Sequence, residues 1–193
     1  MIRDSGPGDR RDFFRDSLGQ AFEKMLEATE ERVVQQRYLR PPGSLPEVAF
    51  LAACTRCGEC ITACPPKVIK VAPTSAGLAA GTPYLDPRRS PCIACLAIPC
   101  AAACPTEALT VPTHGWDGYR LGLVEMVPER CVTFRGQSCR ACADACPRGE
   151  KALVMDEEGH PVLRAEGCVG CAVCVRACIS VPPSFEYRPL EVR

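Results

Sequence analysis

Sixteen cysteines fall into four groups of four with none left over. Cys54, Cys57, Cys60 and Cys64 are spaced C-x2-C-x2-C-x3-C and are followed by Pro65. Cys92, Cys95, Cys100 and Cys104 keep the pattern with the middle gap widened to four residues, and Pro105 follows. Cys131, Cys139, Cys142 and Cys146 stretch the first gap to seven residues and close on Pro147. Cys168, Cys171, Cys174 and Cys178 return to the first spacing, with Ile179 where a proline would stand. C-x2-C-x2-C-x3-C-P is a ligand run in which three thiolates hold one [4Fe–4S] cube and the fourth reaches a second. Four such runs predict four [4Fe–4S] clusters, with all sixteen cysteines as iron ligands. Each cube cycles by one electron. No base, nucleophile or substrate pocket is recognisable beside the thiolates, so the pattern reads as an electron carrier and not an enzyme.

Two other uses of cysteine fit worse. A disulfide framework suits a small secreted chain, but disulfides do not require C-x2-C-x2-C tightness and no cleavable signal sequence is recognisable. Structural zinc takes two C-x2-C pairs or adds histidine, and a third cysteine at the next x2 position has no place in a tetrahedral site. The two histidines, His114 and His160, stand in Gly/Pro-rich turns away from any ligand spacing.

The elements that must position these ligands repeat with them. Alanine precedes the last cysteine of every group (Ala63, Ala103, Ala145, Ala177), which lets backbone N–H groups approach the cluster sulfurs. A short apolar stretch follows three of the groups: Val68–Val71, Ala108–Val111 and Ala152–Met155. A second extended stretch precedes the next group: Pro83–Leu85, Gly122–Val127 and Pro161–Arg164. Turn residues such as Glu157-Glu158-Gly159-His160 lie between the two. The unit is therefore cysteine run with short helix, strand, turn, strand, and two units make one pseudo-symmetric ferredoxin module. The fold class expected is α+β, with two bacterial-ferredoxin-like modules of short helices and β-hairpins around [4Fe–4S] clusters.

The ends differ in composition. Phe14, Leu18, Ala21, Phe22, Met25, Leu26 and Val33 recur at helical spacing among many charges, predicting an N-terminal amphipathic helix closed by Pro41-Pro42-Gly43. Packing against the cluster domain is its expected role. The organisation read from the chain is 1–43 amphipathic helix and linker, 44–181 four-cluster double ferredoxin-like domain, and 182–193 irregular tail. With 23 Lys+Arg against 23 Asp+Glu the net charge is zero, which argues against a nucleic-acid binder. No apolar run approaches the ~20 residues of a spanning helix. Trp116 and Tyr119 read as packed loop residues, and Arg88, Arg89, Arg135 and Arg140 as solvated charges.

From about Ala53 to Cys178 the chain resembles the ferredoxin-type NapG/MauM proteins, and more broadly the four-cluster electron-transfer subunits of molybdoenzymes. Gly81-Thr82-Pro83-Tyr84, Pro91-Cys92, Ile98-Pro99-Cys100 and Ala103-Cys104-Pro105 resemble the NapG second group. Cys131-Val-Thr-Phe134-Arg-Gly136-Gln-Ser-Cys139 resembles its stretched third group. The resemblance implies redox protein partners: electrons passing from a quinol-oxidising membrane partner, such as a quinol dehydrogenase, toward a periplasmic reductase or molybdoenzyme. Arg10-Arg11-Asp12-Phe13-Phe14-Arg15 is similar to a twin-arginine export motif, but Glu23, Lys24, Glu27, Glu30 and Glu31 interrupt the apolar stretch that should follow. The expectation is therefore cytoplasmic, with twin-arginine or partner-assisted export to the periplasm as the other course. Cytoplasmic NapF-like proteins, which assist maturation of a reductase, are the alternative reading. A third is a structural or sensing module whose clusters do not cycle.

Neighbouring groups can share clusters, or the sharing can be nested. The resemblance of the widened second group to molybdoenzyme subunits implies nesting. Cys54, Cys57, Cys60 and Cys178 would then hold one cluster, and Cys168, Cys171, Cys174 and Cys64 another. Cys92, Cys95, Cys100 and Cys146 would hold a third, and Cys131, Cys139, Cys142 and Cys104 the last.

Overall fold

A computed structural model describes residues 38–190. The amphipathic helix expected before Pro41 lies, except for its last residues, outside them. Helix α1 (Glu47–Ala53) starts behind Pro46 with Glu47 in its first turn, buries Phe50 completely and ends as Cys54 turns extended. Helix α2 (Glu59–Ala63) is followed by β1 (Lys70–Val71) and β2 (Pro83–Tyr84), then by α3 (Pro99–Ala102). Strand β3 (Gly122–Met126), helix α4 (Ala141–Ala145) and strands β4 (Leu153–Met155) and β5 (Pro161–Leu163) come next. Helix α5 (Val173–Ala177) and strand β6 (Phe185–Pro189) complete the described chain.

The strands form three two-stranded antiparallel sheets. Two are the expected hairpins: Lys70 pairs with Tyr84 in one, and Val154 pairs with Val162 in the other. The expected pairing of 108–111 with 122–127 does not form. Gly43–Leu45 occupies that edge instead: Thr110 N–H donates to Gly43 O at 2.8 Å and Leu45 N–H to Ala108 O at 3.1 Å. Strand β3 is thereby free to pair with β6 along its whole length, from Gly122 with Pro189 to Met126 with Phe185. The segment read as an irregular tail is thus a sheet strand, because Phe185 and Tyr187 alternate onto the buried face. The linker boundary at residue 43 moves too, since Leu85 N–H donates to Leu39 O at 2.7 Å.

Helices of four or five residues are far too short to hold themselves. They stand because α2 packs on α3 and α4 on α5, over two apolar centres. The larger centre joins Phe50, Val68, Ile69, Ile98, Leu109, Trp116 and Leu121 to Val169 and Cys171 of the second half. The smaller gathers Leu153, Phe185, Cys142 and Cys174. Arg40, only 6 % exposed, clamps the first half: its guanidinium is bidentate to Glu47 at 2.6 and 2.9 Å and donates to Thr82 Oγ1 and Pro83 O.

Candidate functional site

Each cysteine run uses its short helix to send thiols in two directions. The third cysteine of every group (Cys60, Cys100, Cys142, Cys174) sits inside a helix and is buried. Four residues on, it would share a helix face with the fourth. The helix ends first, however, and Cys64, Cys146 and Cys178 turn extended with ψ of 114, 116 and 130°. That turn swings the fourth thiol away from its own group. Non-glycine residues held at positive φ, Arg56 (61°) and Ala94 (45°), bend the chain between the first two cysteines of their groups. Lys67, Glu107 and Gly149, each three residues past a fourth cysteine, repeat the positive φ. Such left-handed backbone costs energy in non-glycine residues and clusters where a site demands it.

The sixteen thiols surround four cavities, four to each. The first is lined by Cys54, Cys57, Cys60 and Cys104, and the second by Cys64, Cys92, Cys95 and Cys100. The third is lined by Cys131, Cys139, Cys142 and Cys178, and the fourth by Cys146, Cys168, Cys171 and Cys174. Three thiols therefore come from one group and the fourth from its neighbour. This corrects the nested arrangement: Cys104 joins the first group and not the third, Cys64 the second, Cys178 the third and Cys146 the fourth. The cause is helix packing, since α2 lies on α3 and α4 on α5 and each swung-out thiol reaches only its own partner helix.

The two modules meet through their inner cavities. Leu121 N–H donates to Val169 O at 2.8 Å, and a Cβ on Gly170 would fall 2.0 Å from Gly122 O. Arg148, which lines the fourth cavity, reaches Asp117 of the first module at 2.6 Å. Trp116, 4 % exposed, donates its Nε1–H to Cys95 O at 2.8 Å, which makes it the packed loop residue expected. Cys171 lies close enough to Cys92 for a charge on Cys92 to be felt at it. The cavities thus run in the order first, second, fourth, third.

The thiols fit a polynuclear iron site. All sixteen are free. Burial pushes Cys92 and Cys100 up to about 12 and Cys60 and Cys142 to about 11, and the neighbouring thiolates of each cavity push further. Four sulfurs so crowded resist carrying charge alone, and cations among them remove that cost. Cys104 and Cys178 go the other way: against their burial, hydrogen bonds from Leu109 and Thr106, and from Ser184 and Ser180, hold them low. Arg148 Nε is buried without a hydrogen-bond partner among the described residues, beside the fourth cavity, where a cluster or ligand sulfur would accept from it. The residues present therefore fit [4Fe–4S] groups, which when bound take up and release single electrons.

Several functional side chains escape a reading of cysteine spacing. Thr133 Oγ1 is 3.2 Å from Cys131 Sγ, and Ser184 N–H donates to Cys178 Sγ at 3.3 Å. Thr106 Oγ1 lies 3.8 Å from Cys104 Sγ. A signal existed: Thr62, Thr106, Thr133 and Ser180 each stand two residues after a cysteine of the first or third cavity. No serine or threonine stands two residues after a cysteine of the second or fourth.

Comparison with known proteins agrees with this geometry. A family described as a 4Fe-4S dicluster domain matches residues 53–108, which hold the whole first and second cysteine groups. A 4Fe-4S binding domain matches residues 128–149. The ferredoxin-type protein NapG of Escherichia coli (strain K12) is 38 % identical over 165 residues, covering 80 % of this chain and 71 % of NapG. The chain belongs to the ferredoxin-type NapG/MauM family. The methylamine utilization ferredoxin-type protein MauM of Paracoccus denitrificans (strain Pd 1222) is likewise 38 % identical, over 82 % of this chain and 75 % of MauM. The ferredoxin-type protein NapF of Escherichia coli is 33 % identical over 77 % of this chain and 85 % of NapF. As a NapG/MauM-type protein the chain is a [4Fe–4S] electron carrier and not a catalyst. Among the described residues no helix is long and apolar enough to cross a membrane.

Proposed function

We propose that this chain carries four [4Fe–4S] clusters and relays single electrons along them between a donor, such as a quinol dehydrogenase or other membrane partner, and a redox enzyme. All sixteen cysteines are the iron ligands, in the cavity sets given above. The observation that carries the reading is the unbroken row of four cavities, each with four thiols. A row suits a wire, because an electron entering at one end passes through the inner pair to the other. Cys57 is exposed at the first cavity, and the exposed apolar residue Ile179 lines the third. Every thiol has a place in a cavity, so no iron is left with an open position for substrate.

Iron and acid-labile sulfide measured on anaerobically purified protein test this. About sixteen of each per chain, with spin-coupled [4Fe–4S]⁺ signals after dithionite, is the expected result. About twelve of each, or zinc without sulfide, would contradict it.

The likeness to NapF, of which the chain covers 85 %, favours a second reading, as a ferredoxin assisting maturation of a reductase. Capture of a partner separates the two. A relay retains the mature, cofactor-loaded enzyme, and a maturation factor retains only its precursor.

A further inference from the structure

We propose that Thr133 and Ser184, with Ser180 behind it, raise the reduction potential of the cluster in the third cavity. The inference rests on the four-cluster reading and adds named residues that tune one of its sites.

Thr133 is 8 % exposed with its hydroxyl 3.2 Å from Cys131 Sγ. Ser184 is fully buried, its N–H 3.3 Å and its hydroxyl oxygen 3.5 Å from Cys178 Sγ. Ser184 Oγ lies 3.3 Å from Ser180 Oγ, so the two hydroxyls form a short chain ending on sulfur. An iron-bound thiolate has no proton to give. In the loaded protein both hydroxyls must therefore donate to sulfur, and Ser180 can donate in turn to Ser184.

Two of the four ligands of this cavity thus accept hydroxyl hydrogen bonds. The fourth cavity differs. Gly170 N–H donates to Cys168 Sγ at 3.4 Å and Val173 N–H to Cys171, but no serine or threonine lines that cavity. Its charged liner, Arg148, reaches Asp117 at 2.6 Å, and its buried Nε has no hydrogen-bond partner among the described residues.

Reduction adds one electron and one negative charge spread over the cube and its thiolates. No bond forms or breaks, and the hydroxyls keep their protons. Donors aimed at sulfur hold the more negative, reduced state better than the oxidised one, which raises the potential. The loop that delivers Ser180 and Ser184 follows Cys178, where Ile179 replaces the proline of the other groups.

The test is an anaerobic redox titration followed by EPR on the full chain and on three variants. Thr133→Val keeps the shape and removes the hydroxyl; Ser184→Ala removes the other; Thr106→Val does the same beside the first cavity. Thr133→Val and Ser184→Ala are expected to lower the same single midpoint, leaving the others in place. The double variant lowers it further, and Thr106→Val moves a different midpoint. Should buried Ser184→Ala fail to assemble, Ser180→Ala gives a smaller downward shift of that same midpoint. Full iron and sulfide with no midpoint moved, or with Thr133→Val and Ser184→Ala acting on different clusters, overturns the proposal while leaving the four-cluster reading intact. Wild-type protein short of four cubes instead overturns the reading beneath it.

Discussion

At the scale of single residues, the cysteines were legible because iron ligation is a local pattern. Three thiols within seven residues can converge on one cube whatever the rest of the chain does. Arg40 was not legible, since its partners Glu47, Thr82 and Pro83 are brought to it by folding. It stacks 4.6 Å from the Phe50 ring centroid and leaves Glu47 with a buried, bidentate ion pair. Removing one member of such a pair strands the other charge. Arg40→Met is therefore expected to cost about 3–5 kcal/mol in chemical denaturation of the loaded protein. Arg40→Met combined with Glu47→Leu should recover most of that loss. If the double variant is no better than the single, the penalty is lost packing and not a stranded carboxylate. The hydroxyls on Cys131 and Cys178 lie between these cases. Thr133 and Ser180 stand two residues after a cysteine, which was visible, whereas Ser184, six residues past Cys178, is brought to its sulfur by folding.

At the scale of elements, the hairpins β1–β2 and β4–β5 followed from apolar stretches flanking a turn. The third pairing did not, because two distant segments, Gly43–Leu45 and Phe185–Pro189, outcompete the neighbour in sequence. Alternation at Phe185 and Tyr187 was the available signal, hidden among Pro182, Pro183 and Pro189. Gly122 shows how tightly the β3–β6 pair is built. A Cβ there would lie 2.2 Å from the Tyr187 ring, whose hydroxyl donates to Leu121 O at 3.1 Å. Gly122→Val should cost about 1–3 kcal/mol by overpacking. Tyr187→Phe should cost about 1 kcal/mol by losing the hydrogen bond. Because β6 carries the chain from Ser184, Gly122→Val should also hasten cluster loss on warming, with the third cavity's signal the first to fade. Uniform loss of all signals would mean that the strand pair does not hold that cavity separately.

At the scale of the whole molecule, spacing told which residues line the cavities but not which line one together. Sharing depends on where each fourth thiol swings after its helix ends, and that is decided by which helices pack. The dense packing of α2 on α3 and of α4 on α5 makes two modules, and Leu121, Val169 and Gly170 join them at the inner cavities. The central claim is this order of four sites, with neighbours sharing ligands. Its most direct measurement is EPR-monitored titration of Cys64→Ser beside Cys95→Ser and Cys171→Ser. The account predicts that Cys64→Ser and Cys95→Ser disturb the same cluster, that of the second cavity. Cys64→Ser disturbing the cluster that Cys171→Ser disturbs would restore nested sharing and contradict it.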